Sequence, residues 1–186
     1  MKIAFIGTHG VGKTTLCYDL AAALKKLDLN VDIVKEVARD CPLPINKETG
    51  LWSESWILHM QIAREIESCY RYPLVICDRS VLDNYAYLVY QAGTVAHLEG
   101  LVKHWMSTYD LLFKVPILAP PRSDGVRDTD SGFQAGVDEV LDHLLRQKNI
   151  HSLTLPLGRR SDWIDECTRQ VVELWQAQAA VKGMAR

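Results

Sequence analysis

The chain has 186 residues, of which 48% are hydrophobic and 24% are charged, and its formal net charge is −2. This length suits one domain with a sizeable core, and the composition is that of an ordinary globular protein. A charge this close to zero argues against a protein built around nucleic-acid backbones, which usually has a basic surplus. We therefore expect a single domain over residues 1–186 and no nucleic-acid partner, although a small polyanion could bind in a local pocket.

The cysteines indicate a reducing compartment. They are five in number, scattered, and form no C-x-x-C pair, which favours free thiols over a disulfide framework and argues against a zinc site. The chain begins in an apolar segment without a signal-peptide pattern, and no apolar run reaches membrane-spanning length. We predict a cytoplasmic protein with no membrane partner.

The first predicted element is a buried strand at residues 3–6. It is followed directly by GTHGVGKTT, residues 7–15, which fits the pattern G-x-x-x-x-G-K-[ST]. Apolar residues then recur at helical spacing from Leu16 to Leu27. In a strand, glycine-rich loop and helix of this kind, backbone N–H groups and the positive helix end hold phosphate groups. The sequence therefore predicts a phosphate-binding loop.

Each part of this loop has an expected task. Gly7 and Gly12 allow backbone angles that bring N–H groups close to phosphate oxygens. Lys13 would reach the β- and γ-phosphates of ATP, and the Thr14 hydroxyl would ligate Mg²⁺. The predicted nucleotide-binding residues are the whole loop and one arginine near the other end of the chain: Gly7, Thr8, His9, Gly10, Val11, Gly12, Lys13, Thr14, Thr15 and Arg159.

Strand and helix patterns alternate through the rest of the chain. Further strands are predicted at residues 31–35, 74–77, 111–115 and 150–155. Helices are predicted at residues 52–71, 81–91, 95–106, about 133–144 and from 161 onward. Alternation of this kind predicts an α/β protein with three α/β/α layers, the P-loop NTPase fold, and a five-stranded parallel sheet. In such sheets ligands bind at the carboxyl ends of the strands.

Two predicted helices carry further signals. Ser80 and Asp83 form a candidate capping box at the start of the helix over residues 81–91. In the helix over residues 52–71, one side is apolar and is expected to face the core, with Trp52 also packed inside; this side consists of Trp56, Met60, Ala63, Ile66 and Tyr70.

Charged residues follow two of the predicted strands. Asp78 and Arg79 come directly after the third strand, where Asp78 would lie near Mg²⁺ or its water shell and Arg79 could clamp the acceptor or the transferring phosphoryl group. After the second strand, Glu36 could accept a proton from an attacking hydroxyl, and Arg39 could bind a polar or anionic part of the acceptor. The alternative for each of these residues is a solvated surface charge. On composition alone, Asp40 is as available for the acceptor site as Glu36 and Arg39. Either Glu36 or Asp78 could be the general base.

Residues 119–133 break the periodic pattern with prolines, glycines, arginines and aspartates. A loop of this length in a small domain is usually functional and often a lid. Arg122 and Arg127 could close over a triphosphate and neutralise the charge that develops during transfer. A disordered surface loop is the alternative. Farther along, Arg159 or Arg160 could stack on a nucleobase or supply charge at a helix entry.

Four segments in chain order, GTHGVGKTT, KEVARD, LVICDRSVLDNYAY and RSDGVRD, resemble those of P-loop kinases of the nucleoside and nucleotide kinase-like group. The likeness spans nearly the whole chain. It is greatest to the ribosylnicotinamide kinase domain and related AAA-like small kinase domains, and more distant to thymidylate and deoxynucleoside kinases. The resemblance implies MgATP as cofactor, Asp78 beside Mg²⁺, Arg79 beside the acceptor, Glu36 in the acceptor site, and Arg122 and Arg127 in a lid.

Together these features predict ATP-dependent phosphoryl transfer to a small nucleoside- or nucleotide-like acceptor. A P-loop NTPase switch or regulatory nucleotide-binding module is the alternative, because fold alone does not decide chemistry. A polynucleotide end kinase is a third hypothesis, which the net charge of −2 disfavours. The sequence identifies neither the acceptor nor the oligomeric state, monomer or homodimer.

Overall fold

The computed structural model describes residues 1–45, 49–121, 129–158 and 161–184. Its strands are β1 (Lys2–Ile6), β2 (Val31–Val34), β3 (Leu74–Asp78), β4 (Leu111–Lys114) and β5 (Leu153–Thr154). They form a five-stranded sheet in the order β2-β3-β1-β4-β5, and all of these pairings are parallel. The predicted parallel sheet is confirmed, although β5 is shorter than the segment 150–155 expected from the sequence.

Six α-helices lie within the described part of the chain: α1 (Lys13–Lys25), α2 (Leu51–Arg71), α3 (Val81–Ala92), α4 (Ala96–Met106), α5 (Ser131–Gln147) and α6 (Ser161–Met184). A 3₁₀ turn, Val37–Asp40, follows β2. The predicted capping box is present at the start of α3, where the side chains of Ser80 and Asp83 each bond to the other's backbone N–H. In the same ranges, no helix is both long and apolar enough to cross a membrane.

Helices cover both faces of the sheet. Successive side chains of β1 point to opposite faces, so Ile3 and Phe5 pack in the core with α1 and α6, whereas Ala4 and Ile6 pack in the core with α2, α3, α4 and α5. All residues of β1 are buried, as expected for the central strand of a parallel sheet covered on both sides. The predicted α/β/α layering is confirmed.

Helix α2 does not bury the apolar side that its sequence indicates. Trp52 is 82% exposed and Tyr70 is 92% exposed, so the prediction that this side faces the core is wrong. The buried side is mostly polar and consists of Ser53, Glu54, Ile57, Leu58, Gln61, Glu65 and Ser68. This orientation is possible because the buried polar residues have partners, among them an ion pair between Glu65 and Lys2.

The sheet brings three separate segments to one edge. Phe5 in β1 lies opposite Asp78 in β3, so the glycine-rich loop after β1 is adjacent to the segment after β3. Val34 in β2 lies opposite Cys77 in β3, which brings the segment after β2 to the same edge. Ligands bind at this carboxyl edge in open parallel sheets.

Candidate active site

The glycine-rich loop turns sharply between β1 and α1. Gly7 has a φ of 140° and Gly12 a φ of 97°, which are conformations that favour glycine. A Cβ atom on Gly7 would lie 2.7 Å from the carbonyl oxygen of Val115. Gly12 directly precedes α1, and the first N–H groups of a helix have no acceptor within it. The loop therefore presents backbone donors at a helix N-terminus, an arrangement that binds phosphate.

Three amides at the start of the loop are engaged by neighbouring side chains. The donors are the N–H groups of Gly7, Thr8 and His9, and the acceptors are, in the same order, Asp83 at 2.7 Å, Asp138 at 3.2 Å and the Tyr87 hydroxyl at 3.0 Å. These bonds fix the shape of the loop beside the first turn of α1, whose N–H groups have no acceptor within the helix. Direct nucleotide contact by the first three loop residues stays a prediction.

The side chain of Lys13 folds back over the start of the glycine-rich loop. Its ammonium group donates to the carbonyl oxygens of Gly7 and Thr8 at 2.7 and 2.6 Å. Burial and, to a smaller extent, the nearby charge of Arg79 lower the pKa of Lys13 from 10.5 to about 8, against the opposing effect of the acidic residues nearby. An anion bound above the loop would place a negative charge beside this buried ammonium group.

Asp78 and Thr14 place two oxygen atoms together beside the loop. The Thr14 hydroxyl donates to Oδ2 of Asp78 at 2.6 Å. Burial raises the pKa of Asp78, although Lys13 and the hydrogen bond from Thr14 oppose the shift. Mg²⁺ commonly uses one or two protein oxygens together with phosphate oxygens and water, so this pair fits the ion. The described residues contain no group of three or more His, Cys, Asp or Glu ligands, and a metal here would depend on bound phosphates.

Arg79 is a buried cation held by Glu36. Its Nε and Nη2 atoms lie 2.7 and 2.6 Å from Oε1 of Glu36, while Arg39 donates to the other carboxylate oxygen at 2.9 Å. Burial alone would raise the pKa of Glu36, but the charges of Arg79 and Lys13, together with the hydrogen bonds from Arg39 and Arg79, outweigh it and lower the pKa to about 2. Glu36 is therefore ionised at neutral pH and has little affinity for a proton.

Two cavities meet at this ion pair. One, of about 140 Å³, lies over the loop and is lined by Gly10, Gly12, Lys13, Thr14, Thr15 and Asp78. The other, of about 50 Å³, is lined by residues that include Ala38, Arg39, Ile45, Glu54, Ile57, Asn84 and Tyr87. Glu36 and Arg79 line both cavities. Larger cavities, of about 550 and 710 Å³, lie near Lys2 and Leu111 at the opposite edge of the sheet.

The second cavity contains buried polar groups that a ligand could satisfy. The side chain of Glu54 accepts a hydrogen bond from the Thr49 hydroxyl at 2.8 Å. The Nδ2 atom of buried Asn84 has no hydrogen-bond partner in the described part of the chain. Because buried polar groups are nearly always paired, the unpaired Nδ2 atom of Asn84 points to a polar occupant of this cavity. Glu54 lies in no sequence motif, and Asn84 lies within LVICDRSVLDNYAY but has no predicted role, since both residues are in helices away from the strand ends.

A protein-family model described as an AAA domain matches residues 2–163. The matched range includes the glycine-rich loop, Glu36, Asp78 and Arg79. This chain belongs to that AAA domain family. Among curated proteins, none matches the chain.

The fold of this AAA domain also occurs among solved structures. A thymidylate kinase from Ehrlichia chaffeensis is similar, with a TM-score of 0.64, 20% sequence identity, and coverage of 95% of this chain and 98% of that chain. At this identity the likeness concerns the fold. Together with the family match, it confirms the prediction of a P-loop domain with the fold found in the nucleotide kinase-like group.

Several predicted site residues of the AAA domain fall outside the described residues. These are Arg122 and Arg127 of the expected lid, together with Arg159. Their contacts with nucleotide stay predictions. The remaining predicted residues lie in the loop or beside it, and Glu36, Arg39 and Arg79 form one connected group of charges.

We expect Glu54→Gln to stabilise this AAA domain above pH 7 and to have little effect at pH 5. Burial raises the pKa of Glu54 from 4.5 to about 7, against the hydrogen bond from Thr49 and the charge of Arg79. The folded state therefore keeps a proton that the unfolded chain loses above pH 4.5, and stability falls as the pH rises from there to about 7. The loss is on the order of 3 kcal/mol, which the neutral amide avoids.

Urea denaturation at pH 5 and pH 8 measures this difference. Glu67→Gln is the matched control, because Glu67 lies on the exposed side of the same helix. An equal effect of Glu54→Gln at the two pH values would contradict the raised pKa.

Proposed function

We propose that this AAA domain transfers a phosphoryl group from MgATP to a small nucleoside- or nucleotide-like acceptor. The observation that carries the proposal is that Glu36 and Arg79 line two adjoining cavities. One cavity lies over the phosphate-binding loop, and the other contains polar groups suited to a small molecule. A domain that only binds and hydrolyses a nucleotide has no need of this second cavity.

The residues over the loop have the properties required to hold a triphosphate. Lys13 would exchange the carbonyl oxygens of Gly7 and Thr8 for phosphate oxygens and neutralise their charge. The Thr14 and Asp78 oxygens would hold Mg²⁺, which supplies further charge neutralisation on the phosphates when bound. In phosphoryl transfer, positioning and electrostatic stabilisation provide nearly all of the catalysis.

Arg79 is placed to act on the group that moves. Because it borders both cavities, its guanidinium can contact the transferring phosphoryl group while the acceptor lies on the other side. The Tyr87 ring, 5.2 Å from the guanidinium carbon, supports the same side chain. We assign Glu36 the role of orienting Arg79, since a carboxylate with a pKa of about 2 is a weak proton acceptor.

The charges around the second cavity favour a nucleoside-like acceptor over a nucleotide-like one. Among the described lining residues, Arg39 and Arg79 both pair with Glu36. A phosphate-bearing acceptor would compete with this carboxylate for the arginines, whereas an uncharged hydroxyl would leave the ion pairs intact.

An ADP-release assay with a panel of acceptors tests the proposal. The protein is incubated with MgATP alone and then with nucleosides, ribosylnicotinamide, nucleoside monophosphates or oligonucleotide ends. We expect ADP release to depend on a nucleoside-like compound. Hydrolysis at the same rate with and without every compound, or binding without turnover, would favour the NTPase switch.

We expect ATP binding to take up protons near pH 8. The pKa of Lys13 is about 8 in the empty site, and bound phosphates would raise it because an opposite charge favours the ammonium form. Affinity for ATP should therefore fall as the pH rises above about 8. Calorimetric titration at pH 8 in two buffers of different ionisation enthalpy measures the uptake. Equal binding enthalpies in the two buffers, or the same uptake by Lys13→Met, would contradict this role of Lys13.

A further inference from the structure

The backbone turn formed by residues 79–81, between β3 and α3, is held by four hydrogen bonds. Arg79 has a φ of 87°, a conformation that residues with a side chain rarely adopt without support. Two of the bonds come from the sheet and from α3 itself: the Arg79 N–H donates to the Phe5 carbonyl at 3.2 Å, and the Ser80 N–H donates to Asp83 at 2.8 Å.

The other two bonds come from side chains outside the turn. The Arg79 carbonyl accepts a hydrogen bond from Nε2 of Gln61 at 3.3 Å. The Val81 N–H donates to the Tyr109 hydroxyl at 3.2 Å. Gln61 lies on the buried side of α2 and Tyr109 lies two residues before β4, so two distant segments support the same three residues.

One buried carboxylate joins these two supports. Glu65 has no exposed surface, and its Oε1 atom accepts hydrogen bonds from Gln61 at 2.8 Å and from Tyr109 at 2.6 Å. Its Oε2 atom accepts hydrogen bonds from Lys2 and from the Trp105 indole, both at 2.7 Å. Four donors saturate a carboxylate in a fixed orientation, and this orientation in turn fixes Gln61 and Tyr109.

We propose that Glu65, Gln61 and Tyr109 are positioning residues for Arg79. They hold the turn in the conformation that aims the guanidinium at the junction of the two cavities, where it meets Glu36. The kinetic consequence of this inference rests on the proposed phosphoryl transfer, whereas the structural consequence does not.

A purely structural role would favour a different residue at position 61. The Oε1 atom of Gln61 is buried and has no hydrogen-bond partner in the described part of the chain. An unpaired buried acceptor is unfavourable, and an apolar side chain of similar size would avoid it. What glutamine provides in return is the donor to the Arg79 carbonyl.

Three variants separate positioning from stability. Gln61→Met removes the donor to Arg79 at similar volume, and Tyr109→Phe removes the hydroxyl that holds Val81. Trp105→Phe is the control, because it removes a donor to the same Glu65 carboxylate while having no hydrogen bond to the turn. We expect the first two variants to lower kcat about tenfold with the KM for ATP changed less than about twofold. The control should keep kcat within about twofold, even where its Tm falls equally.

Hydrogen exchange at the amides of Ser80 and Val81 gives a second readout without turnover. Exchange should be faster in Gln61→Met and Tyr109→Phe than in Trp105→Phe or the unmodified protein. Unchanged exchange, or kcat losses that follow the Tm of all three variants, would overturn the proposal. If the unmodified protein shows no acceptor-dependent turnover, the proposed function fails, and exchange alone decides whether these residues position the turn.

Discussion

Lys13→Met should lower phosphoryl transfer by at least about 1,000-fold without loss of the fold. The Lys13 ammonium is the buried cation at the first turn of α1, within 2.7 Å of the loop carbonyls, and a bound triphosphate would replace those contacts. Methionine keeps most of the packing and removes the charge. The loss should appear in kcat and in ATP affinity, because Lys13 contacts the phosphates before and during transfer.

The same substitution should leave Tm unchanged or raise it. Since the pKa of Lys13 falls from 10.5 in the unfolded chain to about 8, its charged form is unfavourable in the folded state below pH 8. This penalty disappears only as the pH rises from about 8 to 10.5. At pH 7 its removal contributes on the order of 3 kcal/mol. Turnover and thermal unfolding of the same preparation check both effects, and Lys25→Met, at the exposed end of α1, is the control. Unchanged transfer, or a loss accompanied by unfolding, would refute this role.

Arg79→Gln should lower kcat by about 100- to 1,000-fold, whereas Arg39→Gln should lower it less than about fivefold. The two arginines are a matched pair because both donate to the carboxylate of Glu36. They differ in position: the Arg39 side chain is 40% exposed and that of Arg79 is 8% exposed. Of these two arginines, only Arg79 lines both cavities. Steady-state kinetics with varied ATP and varied acceptor measures the difference.

A double variant separates catalysis from stability at this site. Arg79→Gln alone leaves the Glu36 carboxylate with fewer positive partners in a buried position, so Tm should fall. Arg79→Gln with Glu36→Gln should recover the Tm but not kcat. Recovery of kcat in the double variant would mean that Arg79 serves only to neutralise Glu36. Equal kinetic damage from Arg39→Gln would contradict the special position of Arg79.

The parts of the fold that the sequence predicted correctly depend on short-range patterns. Each of these patterns depends on residues close together in the chain: the apolar run of β1, the fixed spacing from Gly7 to Thr14, and the capping box at Ser80. Such patterns carry their own physical reason: strand burial, the glycine backbone and helix capping. Parallel pairing then brings Asp78 to the loop, because carboxyl ends of parallel strands share one edge.

The parts that the sequence did not predict depend on contacts between distant residues. Lys2 and Glu65 are 63 residues apart, and their ion pair helps turn the polar side of α2 inward against the hydrophobic pattern. The Asp83 and Asp138 bonds to the phosphate loop have the same character, since each joins the loop to a distant helix. The hydrophobic pattern depends only on the type of each side chain. It therefore does not predict polar side chains that are buried because they form hydrogen bonds or ion pairs with one another.

The most direct test is to follow the γ-phosphoryl group of ATP, because the phosphate-binding loop and the acceptor cavity are proposed to meet at Arg79 and to transfer this group between them. Phosphorus NMR follows this group when the protein is mixed with MgATP and the acceptor that gives the fastest ADP release. We expect a new phosphate ester on the acceptor in the same amount as ADP, with little inorganic phosphate. Inorganic phosphate as the sole product, at a rate unaffected by every acceptor, would contradict it.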